Sequence, residues 1–220
     1  MGLFITFEGI EGSGKTTQIG ITGDYLEKQK IPFIITEEPG GTGLGSELRQ
    51  ILLDKTSLAI TEKAELLLFA ADRAQHIEEV ILPAMSEGKV VLCDRFSDAT
   101  IAYQGFGRGV DVDFIRTVNS FSSQSLKPDL TLLFDIPVAA GLKRITDRIS
   151  PTGKASLEDR FEREKAEFHQ RVREGYLSLL RDEPDRIRLI DGSRKVDEVA
   201  KEVCHFVTNL IEGSCEGDVF

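Results

Sequence analysis

Ten consecutive residues, Glu8-Gly9-Ile10-Glu11-Gly12-Ser13-Gly14-Lys15-Thr16-Thr17, constrain the fold of this chain more than all the others together. They fit the phosphate-binding pattern Gly-x4-Gly-Lys-Ser/Thr without a mismatch. The apolar run Leu3–Phe7 before them reads as a buried strand, and the polar stretch Gln18–Gln29 after them reads as a helix. Glycines at 9, 12 and 14 let successive N–H groups converge on an anion, and the helix N-terminus adds its partial positive charge. Residues 9–17 (Gly9, Ile10, Glu11, Gly12, Ser13, Gly14, Lys15, Thr16 and Thr17) are therefore the candidate nucleotide-binding segment. Lys15 is placed to reach the β- and γ-phosphates, and Thr16 to ligate Mg²⁺ through its hydroxyl. A ligand-free glycine turn gives no use for the Lys-Thr pair, so the segment reads as a nucleotide site.

The 220 residues suffice for one α/β domain with a full core. A net charge of −10 argues against a nucleic-acid or acidic-membrane partner, which would call for excess Lys and Arg. Cys93, Cys204 and Cys215 are widely spaced and form no Cys-x-x-Cys, so neither a disulfide framework nor a zinc site is indicated. Cys93 falls inside an apolar strand and reads as core. No apolar run approaches the ~18 residues of a membrane span. The N-terminus lacks a basic segment followed by an apolar core, which predicts a cytoplasmic, reduced protein. Residues 1–6 match a myristoylation pattern, but Gly2 feeds directly into the first strand, where an acyl chain would clash with the fold.

Apolar runs alternate with helix-length segments from end to end, the pattern of a parallel sheet covered on both faces. The strands read as Leu3–Phe7, Phe33–Thr36, Val90–Asp94, Leu130–Asp135 and Ile187–Ile190. The helices read as Lys15–Gln29, Gly45–Leu53, Thr61–Ser86, Val112–Phe121, Val138–Arg148, Asp159–Leu180 and Val196–Ile211. Residues 1–212 form a single domain, with a mobile stretch at about 148–160 and a frayed tail at 213–220. The right-handed crossover rule then gives a doubly wound sheet with its ligands at the carboxyl ends of the strands.

Strand ends are accordingly where the remaining chemistry is sought. Val90–Asp94 ends in Asp94-Arg95: the carboxylate can hold Mg²⁺ and the guanidinium can fork onto phosphate oxygens. In isolation the pair fits a surface ion pair equally well; beside a phosphate loop it reads as functional. Glu38-Pro39-Gly40-Gly41-Thr42 follows the second strand and is first of all a turn, with Glu38 and Arg49 flanking it at the same edge. Phe69 and Arg73 share one helix face, and on periodicity alone Leu66–Phe69 is core. Gln104 can pair with an amide-like base edge and Thr100 can add a hydroxyl. Arg148, Lys154 and Arg160 surround the stretch Ser150–Ser156, which fits equally well a solvated charged loop and a closing loop whose cation would serve phosphoryl transfer.

With the phosphate loop, Glu38-Pro39-Gly40-Gly41-Thr42, Phe69-Ala70-Ala71-Asp72-Arg73, Asp94-Arg95-Phe96 and Ala102-Tyr103-Gln104-Gly105 in this order, the chain resembles the bacterial thymidylate kinases from about Phe4 to beyond Glu162. The resemblance implies a P-loop NTPase-type doubly wound five-stranded parallel sheet with helices on both faces and a short mobile lid, usually as a homodimer. It implies ATP as co-substrate, Mg²⁺ as cofactor, and phosphorylation of thymidylate to the diphosphate. Lys15 and Thr16 then meet ATP and Mg²⁺, with Asp94 as the second metal group. Glu11 matches the family's carboxylate at the sugar 3′-hydroxyl. Arg49 and Arg95 match its monophosphate-binding arginines, with Glu38 nearby. Phe69 corresponds to the ring that stacks on thymine, while Arg73, Thr100 and Gln104 correspond to groups along the base edge. The family carries its catalytic arginine either in the phosphate loop or in the lid; residues 10–13 contain none, so the resemblance implies the lid version, with Arg148 the choice and Lys154 and Arg160 its substitutes. Glu37 departs from the pattern, since bacterial members usually carry arginine there, and this removes a positive charge near the monophosphate.

The catalytic set is therefore Lys15, Arg95 and Arg148, acting by direct in-line transfer without a covalent intermediate. Two other readings share the phosphate loop. A deoxynucleoside kinase would phosphorylate a sugar hydroxyl, which leaves no reason for Arg49 to guard a monophosphate. A nucleotide-dependent switch ATPase would act through partners, but the chain has no Asn-Lys-x-Asp motif.

Overall fold

β1 (Leu3–Glu8) is apolar on both faces because both are covered. It lies in the middle of a parallel five-stranded sheet of order β2 (Phe33–Glu37), β3 (Val90–Asp94), β1, β4 (Leu130–Asp135), β5 (Ile187–Asp191). The structure, a computed structural model, describes residues 2–53, 59–148, 161 and 164–216. Ile5 and Phe7 project to one face, where α1 (Lys15–Lys28) and α9 (Val196–Glu216) bring Ile19, Leu26, Val199, Val203 and Val207 against them. Phe4, Val91 and Cys93 project to the other, onto Ile77, Ile81 and Met85. This alternation is the period-two geometry of a strand, here with no solvent-facing side.

The expected helix Thr61–Ser86 is present as α3 (Glu62–His76), a π-helical turn at Ile77–Ile81 and α4 (Leu82–Ser86). Thr61 caps its start by accepting the Ala64 N–H at 3.4 Å. Pro83 has no N–H to offer Glu79 O, and the ladder widens in the turn just before it. Also on the sheet's flanks are α2 (Gly43–Leu53), α5 (Ser97–Thr100) continuing into a second π-helical segment at Ile101–Gly107, α6 (Val112–Ser122), α7 (Val138–Arg148) and α8 (Ala166–Asp182). α8 begins at Ala166, where the sequence pattern suggested Asp159, because Glu164 and Lys165 are not helical. α9 continues past Ile211 to Glu216, so helix covers part of the expected tail. The lid segment, including Lys154 and Arg160, lies outside the described residues, and Arg148 is described only as the last residue of α7.

Parallel pairing aligns the strand ends: Phe7 and Glu37 both pair with Asp94, and Asp135 pairs with Asp191. Every strand of the sheet thus stops on a carboxylate, namely Glu8, Glu37, Asp94, Asp135 and Asp191. Two of these carboxylates, Glu37 and Asp94, line the functional site.

Candidate functional site

The phosphate loop leaves the central strand between the ends of β3 and β4, as the switch in strand order predicts. Gly9 and Gly12 have φ of 137° and 73°, where a side chain is strained. A Cβ at Gly9 would lie 2.3 Å from Phe134 O, and one at Gly12 would lie 2.5 Å from Gly141 O at the start of α7. Arg144 closes the loop from above, donating to Gly12 O at 3.2 Å and to Gly192 O at 3.0 Å. The first turn of α1 has no side-chain cap, so its N–H groups remain available to an anion. Ser13 Oγ is buried and has no hydrogen-bond partner among the described residues. A buried hydroxyl in that position fits a loop built to be completed by phosphate oxygens.

Lys15 is buried, and its Nζ donates to Gly9 O at 3.1 Å and Ile10 O at 3.2 Å. Burial and the neighbouring Arg95 push its pKa down to about 8, against the opposing pull of Asp94, Glu11 and Glu8. Thr16 donates its hydroxyl to Asp94 Oδ2 at 3.2 Å, so a hydroxyl from the first turn of α1 faces the carboxylate at the end of β3. These are hard oxygen donors of the kind Mg²⁺ takes alongside phosphate oxygens and water. Thr17 is exposed on the first turn of α1.

Arg95 stands opposite Lys15. Its NH1 donates to Gly9 O at 3.1 Å and to the Tyr176 hydroxyl at 3.2 Å, and its NH2 donates to Glu11 Oε1 at 3.0 Å. The guanidinium also lies 4.9 Å from the centre of the Tyr103 ring. Burial alone would lower its pKa, but Tyr103, Tyr176, Glu11 and Asp94 hold it firmly charged. Glu11 accepts the Tyr103 hydroxyl at 2.5 Å on Oε1, and His169 Nδ1 lies 3.3 Å from Oε2. Burial would raise the Glu11 pKa; Arg95, His169, Lys15 and Tyr103 outweigh it and hold the carboxyl down to about 2. Glu11 is therefore a firm anion facing the firmly charged Arg95, with Lys15 close by.

The other wall begins at Glu38, whose N–H donates to Asp94 O at 3.0 Å and so ties the Pro-Gly-Gly turn to the Asp-Arg strand end. Glu38 accepts Arg73 Nε at 2.9 Å, and His76 Nδ1 lies 3.0 Å away on its other oxygen. Arg73 further donates to Asn119 Oδ1 and Thr100 Oγ1, each at 2.9 Å, and is 1% exposed. Gln104 Nε2 donates to Glu65 at 2.9 Å. Arg49 donates to Pro39 O at 2.6 Å and pairs with Glu37 at 3.0 Å, so the residue that departs from the resemblance engages a phosphate-binding candidate directly. Phe69 is half-buried, 6.3 Å from Phe161, and presents its ring to the cleft while packing on the core. The core packing expected from periodicity is present, and the same ring borders the cleft.

Glu11, Glu38, Arg49, Phe69, Arg73, Arg95, Thr100 and Gln104 line one cleft with Lys15, Thr16 and Asp94. The side chain of the expected catalytic Arg148 lies outside the described residues. Sequence reasoning gave no role to Tyr103, His169 or Tyr176. The last two lie on one buried stripe of α8 with Val172 and Leu179, and polar rings within that stripe are the signal that marks them.

A phosphate loop ending the central strand, with an Asp-Arg end beside it and one cleft running from the loop to Phe69, Arg73 and Gln104, defines the class of the P-loop nucleotide kinases. The family model "Thymidylate kinase" matches residues 7–203. A thymidylate kinase of Syntrophus aciditrophicus is 52% identical over 210 residues, covering 96% of this chain and 96% of its own. One from Geotalea daltonii is 50% identical over 214 residues, covering 97% and 100%. The crystal structure of thymidylate kinase from Ehrlichia chaffeensis superposes with a TM-score of 0.72 at 32% identity, over 94% of this chain and 98% of that one. The chain belongs to the thymidylate kinase family.

Proposed function

We propose that the protein transfers the γ-phosphoryl group of ATP to the phosphate of thymidylate, giving ADP and thymidine diphosphate. The observation that carries this reading is the convergence of Lys15, Arg95 and Glu11 at one end of a cleft whose other end holds Phe69, Arg73, Thr100 and Gln104. The first group suits phosphates and a sugar hydroxyl; the second suits a flat base with a polar edge. The thymidylate phosphate oxygen is already a competent nucleophile, so no general base is needed, and alignment and charge cancellation carry the rate. The loop amides and Lys15 bind the ATP phosphates, Arg95 and Arg49 hold the acceptor phosphate, and Glu11 takes the 3′-hydroxyl. Arg148 supplies the lid cation, with Lys154 and Arg160 as alternatives. Thr16 and Asp94 would hold Mg²⁺, which when bound neutralises phosphate charge.

Among the described residues no helix is long and apolar enough to cross a membrane. We place the enzyme in the cytoplasm beside its nucleotide substrates, in a reducing setting that suits the free thiols of Cys93 and Cys204. We also propose a homodimer, formed through the exposed apolar side chains of α3 and α6. The test of function is an ADP-release screen across the nucleoside monophosphates and thymidine. Thymidylate should give the strongest turnover; strong activity only with adenylate or guanylate, or only with thymidine, overturns the assignment.

A further inference from the structure

We propose that Glu8, the last residue of β1, is a positioning residue that holds Arg95 in place over the phosphate loop. This deepens the reading of Arg95 as a phosphate-binding group and rests on it. Glu8 is fully buried, yet its carboxylate touches neither the cleft nor a cation directly. Its Oε1 accepts the Phe96 N–H at 2.7 Å, and its Oε2 accepts the Tyr176 hydroxyl at 2.7 Å. Tyr176 in turn accepts from Arg95 NH1 at 3.2 Å. One carboxylate therefore grips the residue after Arg95 by its backbone and, through a single hydroxyl, Arg95 itself by its guanidinium.

That double grip matters because the backbone between the two points is strained. Arg95 has φ of 70°, in the left-handed region that an L-residue leaves unless its surroundings over-determine it. The Arg95 N–H donates to Phe7 O at 3.1 Å, anchoring one side of the turn. On the other side the Phe96 N–H has Glu8 for its partner. If that bond is lost, Arg95 can relax towards an ordinary φ and its guanidinium swings away from Gly9 and Glu11. Three hydrogen bonds hold the guanidinium in its present plane, and its remaining N–H donors are those left for a phosphate. A glutamine at position 8 can accept from Phe96 but turns an N–H towards the Tyr176 oxygen, which leaves the Tyr176 hydroxyl proton without its acceptor. The chain of donors then breaks while shape is retained.

The experiment is a double-mutant cycle in the full-length enzyme: Glu8→Gln, Tyr176→Phe, Arg95→Lys and the pairwise combinations. Turnover is followed with whichever monophosphate supports the highest rate in the unaltered protein. Glu8→Gln should lower kcat by roughly 10–100-fold and Tyr176→Phe by roughly 3–10-fold, with KM for ATP within about twofold of normal. In the Arg95→Lys background each should cost less than about twofold, because its target is gone. Equal losses in both backgrounds, or an unchanged kcat in Glu8→Gln, overturns the proposal by reducing Glu8 to a structural residue. Should Glu8→Gln fail to fold, Tyr176→Phe decides by the same comparison. A wild-type enzyme that ignores thymidylate but turns over another monophosphate counts against the substrate assignment and leaves this cycle readable.

Discussion

At Lys15 burial and a neighbouring cation weaken a charge that the chemistry needs, and three carboxylates offset this only in part. Lys15→Met keeps most of the aliphatic stem and removes that charge. It should lower kcat by about 10²–10³-fold while the loop amides still bind ATP, and steady-state kinetics with near-normal turnover would contradict the mechanism. Asp72 offers a different test. It is buried beside Glu38, with Oδ1 accepting the Gly40 N–H at 3.2 Å and Oδ2 without a hydrogen-bond partner. Burial and Glu38 raise its pKa from 3.8 to about 6, despite Gly40, His76 and Arg73. The folded state therefore favours the protonated acid: this contribution to stability is complete below the unfolded pKa and is lost as pH rises through about 6. Asp72→Asn should stabilise the protein by roughly 1–3 kcal/mol at pH well above 7 and have little effect near pH 4, as read by urea denaturation at both. Lys15, Asp94 and Arg95 were legible in sequence because a loop motif and a strand end place them. The Glu38–Arg73–Asn119 chain was not, since its members lie 35 and 46 positions apart and only burial makes them partners.

Among the elements, α6 shows how local sequence sets a boundary. Asp111 accepts the Phe114 N–H at 2.7 Å and leaves the helix proper to start at Val112, where the sequence pattern put it. Asp111→Ala should cost about 1 kcal/mol in urea denaturation and leave kcat unchanged, because the cap faces solvent away from the cleft. The strands were equally legible, since continuous apolar runs of that length in a βα alternation admit few other readings. The π-helical turns at Ile77–Ile81 and Ile101–Gly107 were not. Their residues have ordinary helical periodicity, and the extra residue per turn is decided by packing against α8 and the sheet. The second of them carries Tyr103 and Gln104 into the cleft, so the part of the fold hardest to read is also one that shapes the site.

For the whole molecule, the doubly wound architecture followed from element order and the handedness of crossovers, whereas its oligomeric state must be sought on the surface. Phe121 is 87% exposed and Phe114 53% on α6, with Leu67 57% exposed on the adjoining α3. Solvating these rings and side chains is unfavourable, and burial against a second copy relieves it. Light scattering should give the mass of a dimer at micromolar concentration and that of a monomer for Phe121→Glu; a monomeric wild type would refute the assembly. The acidic edge of the sheet has a consequence for how substrates arrive. Arg49, Arg73 and Arg95 at this edge are each paired with a carboxylate, Glu37, Glu38 and Glu11 in turn, so an incoming anion meets from afar a body of net charge −10. Such repulsion reaches about one Debye length, some 8–10 Å at moderate ionic strength, and fades as salt is added. Stopped-flow capture of a fluorescent nucleotide should therefore quicken with rising potassium chloride, the reverse of the familiar steering of ligand by protein, even as the bound state is held less tightly.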